Sequence, residues 1–266
     1  MVFSVLMATY INDDRFLLGK ALQSILDQTI QCSELVIVED GALTDELYSV
    51  IDSYRDKLNI ISVVLDENYG LATALNEGLK HISNDIVLRA DSDDINNPVR
   101  FERQIQPFIE GYELVGGMVR EVGKKGEHIA YRIVPESIKD ILNFSKNRNP
   151  FNHMTIGFIK KVVLDAGGYP NIHLKEDYAL WATLLSNGVK AKNLNEIFVD
   201  ATTGSDMYRR RGGLKYVRSE FEMQRHLVNC GLKNWFSAFL VGVIRSLVFL
   251  MPCAIRGYIY EKVLRK

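Results

Sequence analysis

Three cysteines in 266 residues, Cys32, Cys230 and Cys253, are too few and too scattered for a disulfide framework. No C-x-x-C pair occurs, which excludes a zinc ribbon or a dithiol redox motif and fits a reducing, cytoplasmic setting. No stretch of about 20 residues is apolar and free of charge, the length a membrane span requires. The apolar start Met1–Ala8 has no basic flank, and Asn12-Asp13-Asp14-Arg15 cuts it short, so it reads as a strand rather than a signal peptide. Neither G-x-G-x-x-G nor G-x-x-x-x-G-K follows that strand, so dinucleotide and P-loop readings lose their phosphate cradle. Internal repeats and low-complexity tracts are missing as well.

What is present is an ordinary globular composition, 47% hydrophobic and 24% charged, with a net charge of −1. That charge is uneven: residues 209–266 hold 12 Lys/Arg against 3 Asp/Glu, leaving 20 against 30 before them. A basic end points to a membrane surface or a polyanion. No nucleic-acid-binding motif accompanies it, so nucleic acid is not expected as a partner.

Strands and helices alternate. Val2–Ala8, Leu35–Val38, Ile60–Leu65 and Ile86–Leu88 read as buried strands. Between them, helical spacing recurs at Phe16–Leu26, after a Thr44 cap, and at Leu71–Ile82. That order predicts an α/β fold with a mostly parallel sheet. Further on, Pro98 opens a helix to about Glu110, Leu114–Gly117 is a strand, and Gly123–Gly126 turns a hairpin between 118–122 and 128–133. Pro135 opens a helix through about Phe144, Lys160–Ala166 is a short one, and Glu176-Asp177 begin another that buries Leu180, Trp181, Leu184 and Leu185.

Ala90-Asp91-Ser92-Asp93-Asp94 follows the fourth strand. Open α/β sheets bind ligands at the carboxyl ends of their strands. Crowded carboxylates need a cation, and an all-oxygen set suits Mg²⁺ or Mn²⁺. By itself such a run is equally a solvated acidic turn. Tyr10 is read either as a ring stacked on a base or as a rim aromatic, and Asp40 either as an acceptor for a base N–H or as a turn former. His153 is either structural or turned toward a metal or phosphate. Glu176 and Asp177 are either helix-end acids favoured by the dipole or a general base kept ionised by it.

Taken in order, Ala8-Thr9-Tyr10, Glu39-Asp40-Gly41, Asn68-Tyr69-Gly70-Leu71 with Asn76-Glu77-Gly78, Ala90–Asp94, Gly167-Gly168-Tyr169 and Glu176-Asp177-Tyr178 with Leu180-Trp181 resemble glycosyltransferase family 2. Those are inverting enzymes with a GT-A fold, and the resemblance covers roughly residues 3–200. Leu75 departs from it, since many members carry a basic residue there. The resemblance implies a nucleotide-sugar donor, most often a UDP-sugar, held by Ala8, Thr9, Tyr10, Glu39, Asp40, Asn68, Gly70, Asn76, Arg89, Ala90, Asp91 and Ser92. It implies Mn²⁺ or Mg²⁺ on Asp93 and Asp91, with His153 as a further metal candidate. Asp177 is implied as the base, with Glu176 its competitor. Arg209, Arg210 and Arg211 resemble a segment of members that build bacterial surface polysaccharide (O-antigen or exopolysaccharide), and are read either as a flap on the donor phosphates or as a linker facing lipid.

From Trp235 to Ile259 the chain is strongly apolar, but Arg245 and Pro252 interrupt it. The reading is an amphipathic helix lying in the cytoplasmic leaflet of the inner membrane, its basic face on anionic lipid. Packing on the catalytic domain or in a homodimer interface is the alternative. A peripheral position suits an acceptor sugar on undecaprenyl diphosphate. The expected division is a catalytic domain over 1–205 (donor side 1–97, acceptor side 98–205), then a basic flap and helices over 206–266. A sugar nucleotidyltransferase is a rival reading, but it lacks its glycine-rich loop here. A non-catalytic membrane scaffold is the other rival.

Overall fold

The computed structural model describes residues 1–123, 126–202 and 212–252. The first four strands are β1 (Ser4–Thr9), β2 (Glu34–Glu39), β3 (Ile60–Val64) and β4 (Ile86–Arg89). They run parallel in the order β3-β2-β1-β4. Helices α1 (Arg15–Leu26), α2 (Asp45–Asp52) and α3 (Leu71–His81) make the crossovers. Every residue of β2 is buried, as a parallel strand covered on both faces must be. One face packs Leu6, Val36 and Val38 against Leu75 and Leu79 of α3 and against Trp181. The other packs Leu35 and Ile37 with Leu18 and Leu22 of α1, Leu47 of α2 and Phe101.

Beyond β4 the pairing becomes mixed. Strand β8 (Gly157–Ile159) is antiparallel to β4 and to β6 (Leu114–Val122). Next come β9 (Ala191–Thr202), parallel to β6, and β5 (Asp94–Asn96) at the edge. Three strands thus lie between β4 and β5, although only residues 90–93 connect them. Flat strands about 4.8 Å apart would set β4 and β5 about 19 Å apart, more than that link can reach even fully extended. The sheet therefore curls, and its curl holds the acidic stretch over the strand ends.

The hairpin of β6 with β7 (His128–Arg132) forms as the sequence indicates, though Lys124 and Lys125 of its turn lie outside the described residues. Thr44 caps α2 by accepting from the Leu47 N–H, and α7 (Glu176–Ser186) buries the expected Leu180, Trp181, Leu184 and Leu185. Three expectations move. Helix α4 (Arg100–Ile109) starts two residues after Pro98, and α5 (Ile138–Ser145) starts at its Ser137 cap rather than at Pro135. Asp94–Asn96, expected to lead into a turn, is a strand. Helix α6 (Lys160–Asp165) matches its prediction.

Two more helices, α8 (Leu214–Asn229) and α9 (Trp235–Phe249), pack on each other and, through Met223 and Leu227, on Tyr178, Ala179 and Ala182 of α7. Gly242 allows the close approach, since a Cβ there would sit 2.9 Å from the Phe221 ring. Among the described residues no helix is long and apolar enough to cross a membrane. Arg245 does not contribute to a basic lipid-facing side. It turns inward to Glu220 and to the Asn147 carbonyl, leaving Trp235, Phe236, Phe239, Leu240, Ile244 and Leu247 exposed.

Candidate active site

Asp91, Asp93 and Asp94 bring carboxylate oxygens within 4.8 Å of one another. Asp94, fixed in β5, is buried, and its Oδ2 has no hydrogen-bond partner. Burial, then Asp91, then Asp93 push the Asp94 carboxyl well above the usual carboxylate range. Crowding by the cleft walls, then Asp91 and Asp13, push Asp93 up to about 6, although its residue surface is open. Three acids with an unsatisfied buried oxygen fit a hard divalent cation.

Arg89 shapes the same place from beneath. Its guanidinium meets Asp91 Oδ1 at 2.5 Å and donates to the Ala90 carbonyl, and the side chain is almost fully buried. Arg100 donates to the Arg89 carbonyl at 2.7 Å. Arg89 therefore holds Asp91 in place from beneath the acidic stretch.

At the end of β1, Asp13 accepts from the Thr9 hydroxyl at 2.9 Å, the Ser92 hydroxyl at 2.6 Å and the Tyr10 N–H at 3.3 Å. This acid, not singled out from sequence, ties the first loop to the acidic stretch. Thr9 and Ser92 are buried and face Asp13, while Ala8 and Tyr10 remain half-exposed. Asp40 accepts the N–H groups of Tyr69 and Gly70 at 2.8 and 3.0 Å, and Asn68 donates to the Asp40 carbonyl at 3.3 Å. Gly70, with φ of +88°, makes this turn into α3 possible. Asp40, Asn68 and Gly70 thus bind one another first, and Glu39 is buried at the end of β2.

Asn76, expected on the donor side, is tied to the backbone of a distant segment. Its amide pairs with both backbone groups of Tyr169, at 2.7 and 2.9 Å. A Cβ on Gly168 would come within 2.4 Å of its Oδ1, so only glycine fits there. Tyr169 OH lies 3.3 Å from His153 Nε2, and both rings pack on Trp181. His153 is not among the clustered metal-type ligands of the described residues. Burial, then the Arg89 charge, pull its pKa down to about 4, leaving a neutral ring at pH 7.

Asp177 stands in the first turn of α7, half-exposed. Asn149 donates to its Oδ2 at 2.6 Å and the Tyr178 N–H to its Oδ1 at 2.7 Å. Burial, then Asp177, push neighbouring Glu176 up to about 7. The charges of Asp177 and Asp91 both act on His153 and on Tyr169, so both acids lie near this pair of rings. Arg209, Arg210 and Arg211 lie outside the described residues.

This geometry has counterparts. The chain is 42% identical to the UDP-Gal:alpha-D-GlcNAc-diphosphoundecaprenol beta-1,3-galactosyltransferase of Escherichia coli, across 99% of this chain and 97% of that one. It is 35% identical to the amylovoran biosynthesis glycosyltransferase AmsE of Erwinia amylovora, across 98% of both. S. aureus TarS 1-349 in complex with UDP-GlcNAc shares the fold at a TM-score of 0.66 and 20% identity, over 99% of this chain and 76% of that one. The mannosyltransferase PcManGT from Pyrobaculum calidifontis, in complex with GDP-Man and Mn²⁺, does so at 0.62 and 15%, over 99% and 88%. The family model for glycosyl transferase family 2 matches residues 4–167, the span that builds the strands β1 to β4 and the acidic stretch, and to that family of glycosyltransferases this chain belongs.

Proposed function

We propose that the chain transfers galactose from UDP-galactose to the GlcNAc of a polyprenyl-diphosphate carrier, with inversion, during assembly of a bacterial polysaccharide repeat unit. The observation that carries this reading is the cluster of Asp91, Asp93 and Asp94 past β4, together with an Asp177 carboxylate oriented by Asn149 and the Tyr178 N–H. The near full-length likeness to the Escherichia coli galactosyltransferase supports the choice of sugars. The uracil and ribose lie over Tyr10 and the loop organised by Asp13. Asp91, Asp93 and Asp94 would hold Mn²⁺ or Mg²⁺, which when bound neutralises charge on the departing diphosphate. Asp177 takes the proton of the acceptor hydroxyl as it attacks the anomeric carbon from the opposite face. Asn149 fixes the carboxylate for that task. Arg209–Arg211 supply positive charge for the donor phosphates, and α9 lays its apolar side on the cytoplasmic leaflet.

The test is incubation of the purified protein with UDP-galactose, Mn²⁺ and a synthetic GlcNAc-α-diphosphate lipid. A β-linked disaccharide is the expected product. No transfer to this acceptor from any of several UDP-sugars would overturn the reading.

A further inference from the structure

Between the base and the apolar helix lies a group of cations with too few acids. Glu220, fully buried on α8, accepts from Lys175 at 2.7 Å and from Arg245 at 3.0 Å. Lys233 Nζ approaches within 3.2 Å of Asn147 Oδ1 and 3.0 Å of Gln224 Oε1. Arg245 donates to the carbonyl of the same Asn147. That asparagine sits between Lys146 and Arg148, the latter stacked over the Phe144 ring. Among the described residues Lys146, Arg148 and Lys233 have no carboxylate partner within ion-pair distance, so Glu220 serves two of five cations and the rest are unbalanced.

The order of groups along this face matters. Asn149, which holds Asp177, is two residues from Asn147, at most about 7 Å of backbone. On the other side, Lys233 and Arg245 flank the exposed Phe236 and Leu240 of α9. Base, cations and apolar helix thus succeed one another as sugar, diphosphate and lipid do in a polyprenyl-diphosphate sugar. We infer that Arg148 and Lys233 form the subsite for the diphosphate of the acceptor. Burial, then the Arg245 charge, press the Lys233 pKa down to about 8, a crowding of like charge that a bound dianion relieves. Guanidinium and ammonium groups make charge-assisted bonds to phosphate oxygens.

This inference rests on the acceptor proposed above, and its experiment separates the two. Lys233→Gln and Arg148→Gln are compared with the unaltered protein on two acceptors: GlcNAc on a diphosphate lipid, and the same GlcNAc on an uncharged alkyl chain. The expected result is a KM for the diphosphate acceptor raised about tenfold per cation, with kcat and the donor KM held within about twofold. The alkyl glycoside is expected to show no change, and Lys233→Arg to retain most of the affinity. Equal losses on both acceptors, or none, would overturn the subsite. A loss that disappears in neutral detergent, without anionic lipid, would assign these cations to headgroups instead and overturn it too. Equilibrium binding of the diphosphate lipid without donor decides the subsite even where no transfer occurs, in which case only the proposed reaction fails.

Discussion

Asn149 donates to Asp177 Oδ2 across 28 residues of sequence, at 2.6 Å. With the Tyr178 N–H on Oδ1, this bond fixes a half-exposed carboxylate at the start of α7. A carboxylate held in one orientation, yet open on one side, suits proton abstraction. Asp177→Asn is expected to lower kcat by ~10²–10⁴-fold with UDP affinity unchanged. Asn149→Ala should give a smaller loss in kcat, because the base remains but its aim is lost. Steady-state kinetics alongside calorimetric UDP binding measure both, and full activity in Asp177→Asn would transfer the role to Glu176.

The acidic cluster predicts a metal whose binding is sensitive to pH. Protons compete for Asp93, whose pKa without metal stands near 6, so apparent Mn²⁺ affinity should fall as the pH drops through that value. Chelation should stop transfer and added Mn²⁺ or Mg²⁺ restore it. Asp93→Ala should abolish metal-dependent UDP binding. In Asp94→Asn the buried Oδ2 gives way to an amide, and Mn²⁺ titration should show weaker binding still without loss of the fold. Transfer that continues unchanged after exhaustive chelation would count against the cluster as a metal site.

Much of the fold was legible because parallel strands are apolar throughout and the helices between them keep their spacing. Asp93 and Asp177 could be singled out because each sits at an element end. Strand β9 escaped: Asn195 and Glu196 are exposed in its middle, and its pattern breaks alternation. The clasp of Asn76 on Tyr169 and the bond of Ser92 to Asp13 join segments 93 and 79 residues apart, which no local pattern encodes. Asp13 did carry a signal, an acid just past the first strand's carboxyl end. Arg89 and Arg245 turn inward for one reason, which only the folded chain shows: each meets a buried or half-buried acid.

Glu176 offers a test in stability rather than rate. Its folded pKa is raised to about 7 from an ordinary 4.5, so the folded state binds the extra proton. The sign follows: the stability tied to this proton is present below pH 4.5 and is lost as the pH rises through 7. Glu176→Gln keeps the neutral form at every pH. The variant should therefore melt higher than the unaltered protein at pH 8, by about 2–4 °C for each kcal/mol recovered. The difference should shrink toward pH 5. Equal melting temperatures at pH 8 would mean that Glu176 ionises there without strain.

Helix α9 makes the membrane reading a matter of apolar contact. With Arg245 turned inward, the outward side presents Trp235 and Phe236, 67% and 80% exposed, followed by Phe239, Leu240, Ile244 and Leu247. Burying such a side chain fully is worth ~1.5–3 kcal/mol, so a few of them partly immersed suffice for reversible binding. Phe236→Glu with Phe239→Glu places two charges on that side while leaving Ala238, Gly242 and Ser246, which face the protein, untouched. Co-sedimentation with vesicles should fall to background while the melting temperature holds. Salt then divides the effect: whatever binding survives at about 1 M, where the Debye length is ~3 Å, belongs to the apolar side, and the part lost belongs to basic residues. Unchanged sedimentation of the double variant would remove α9 from the membrane contact.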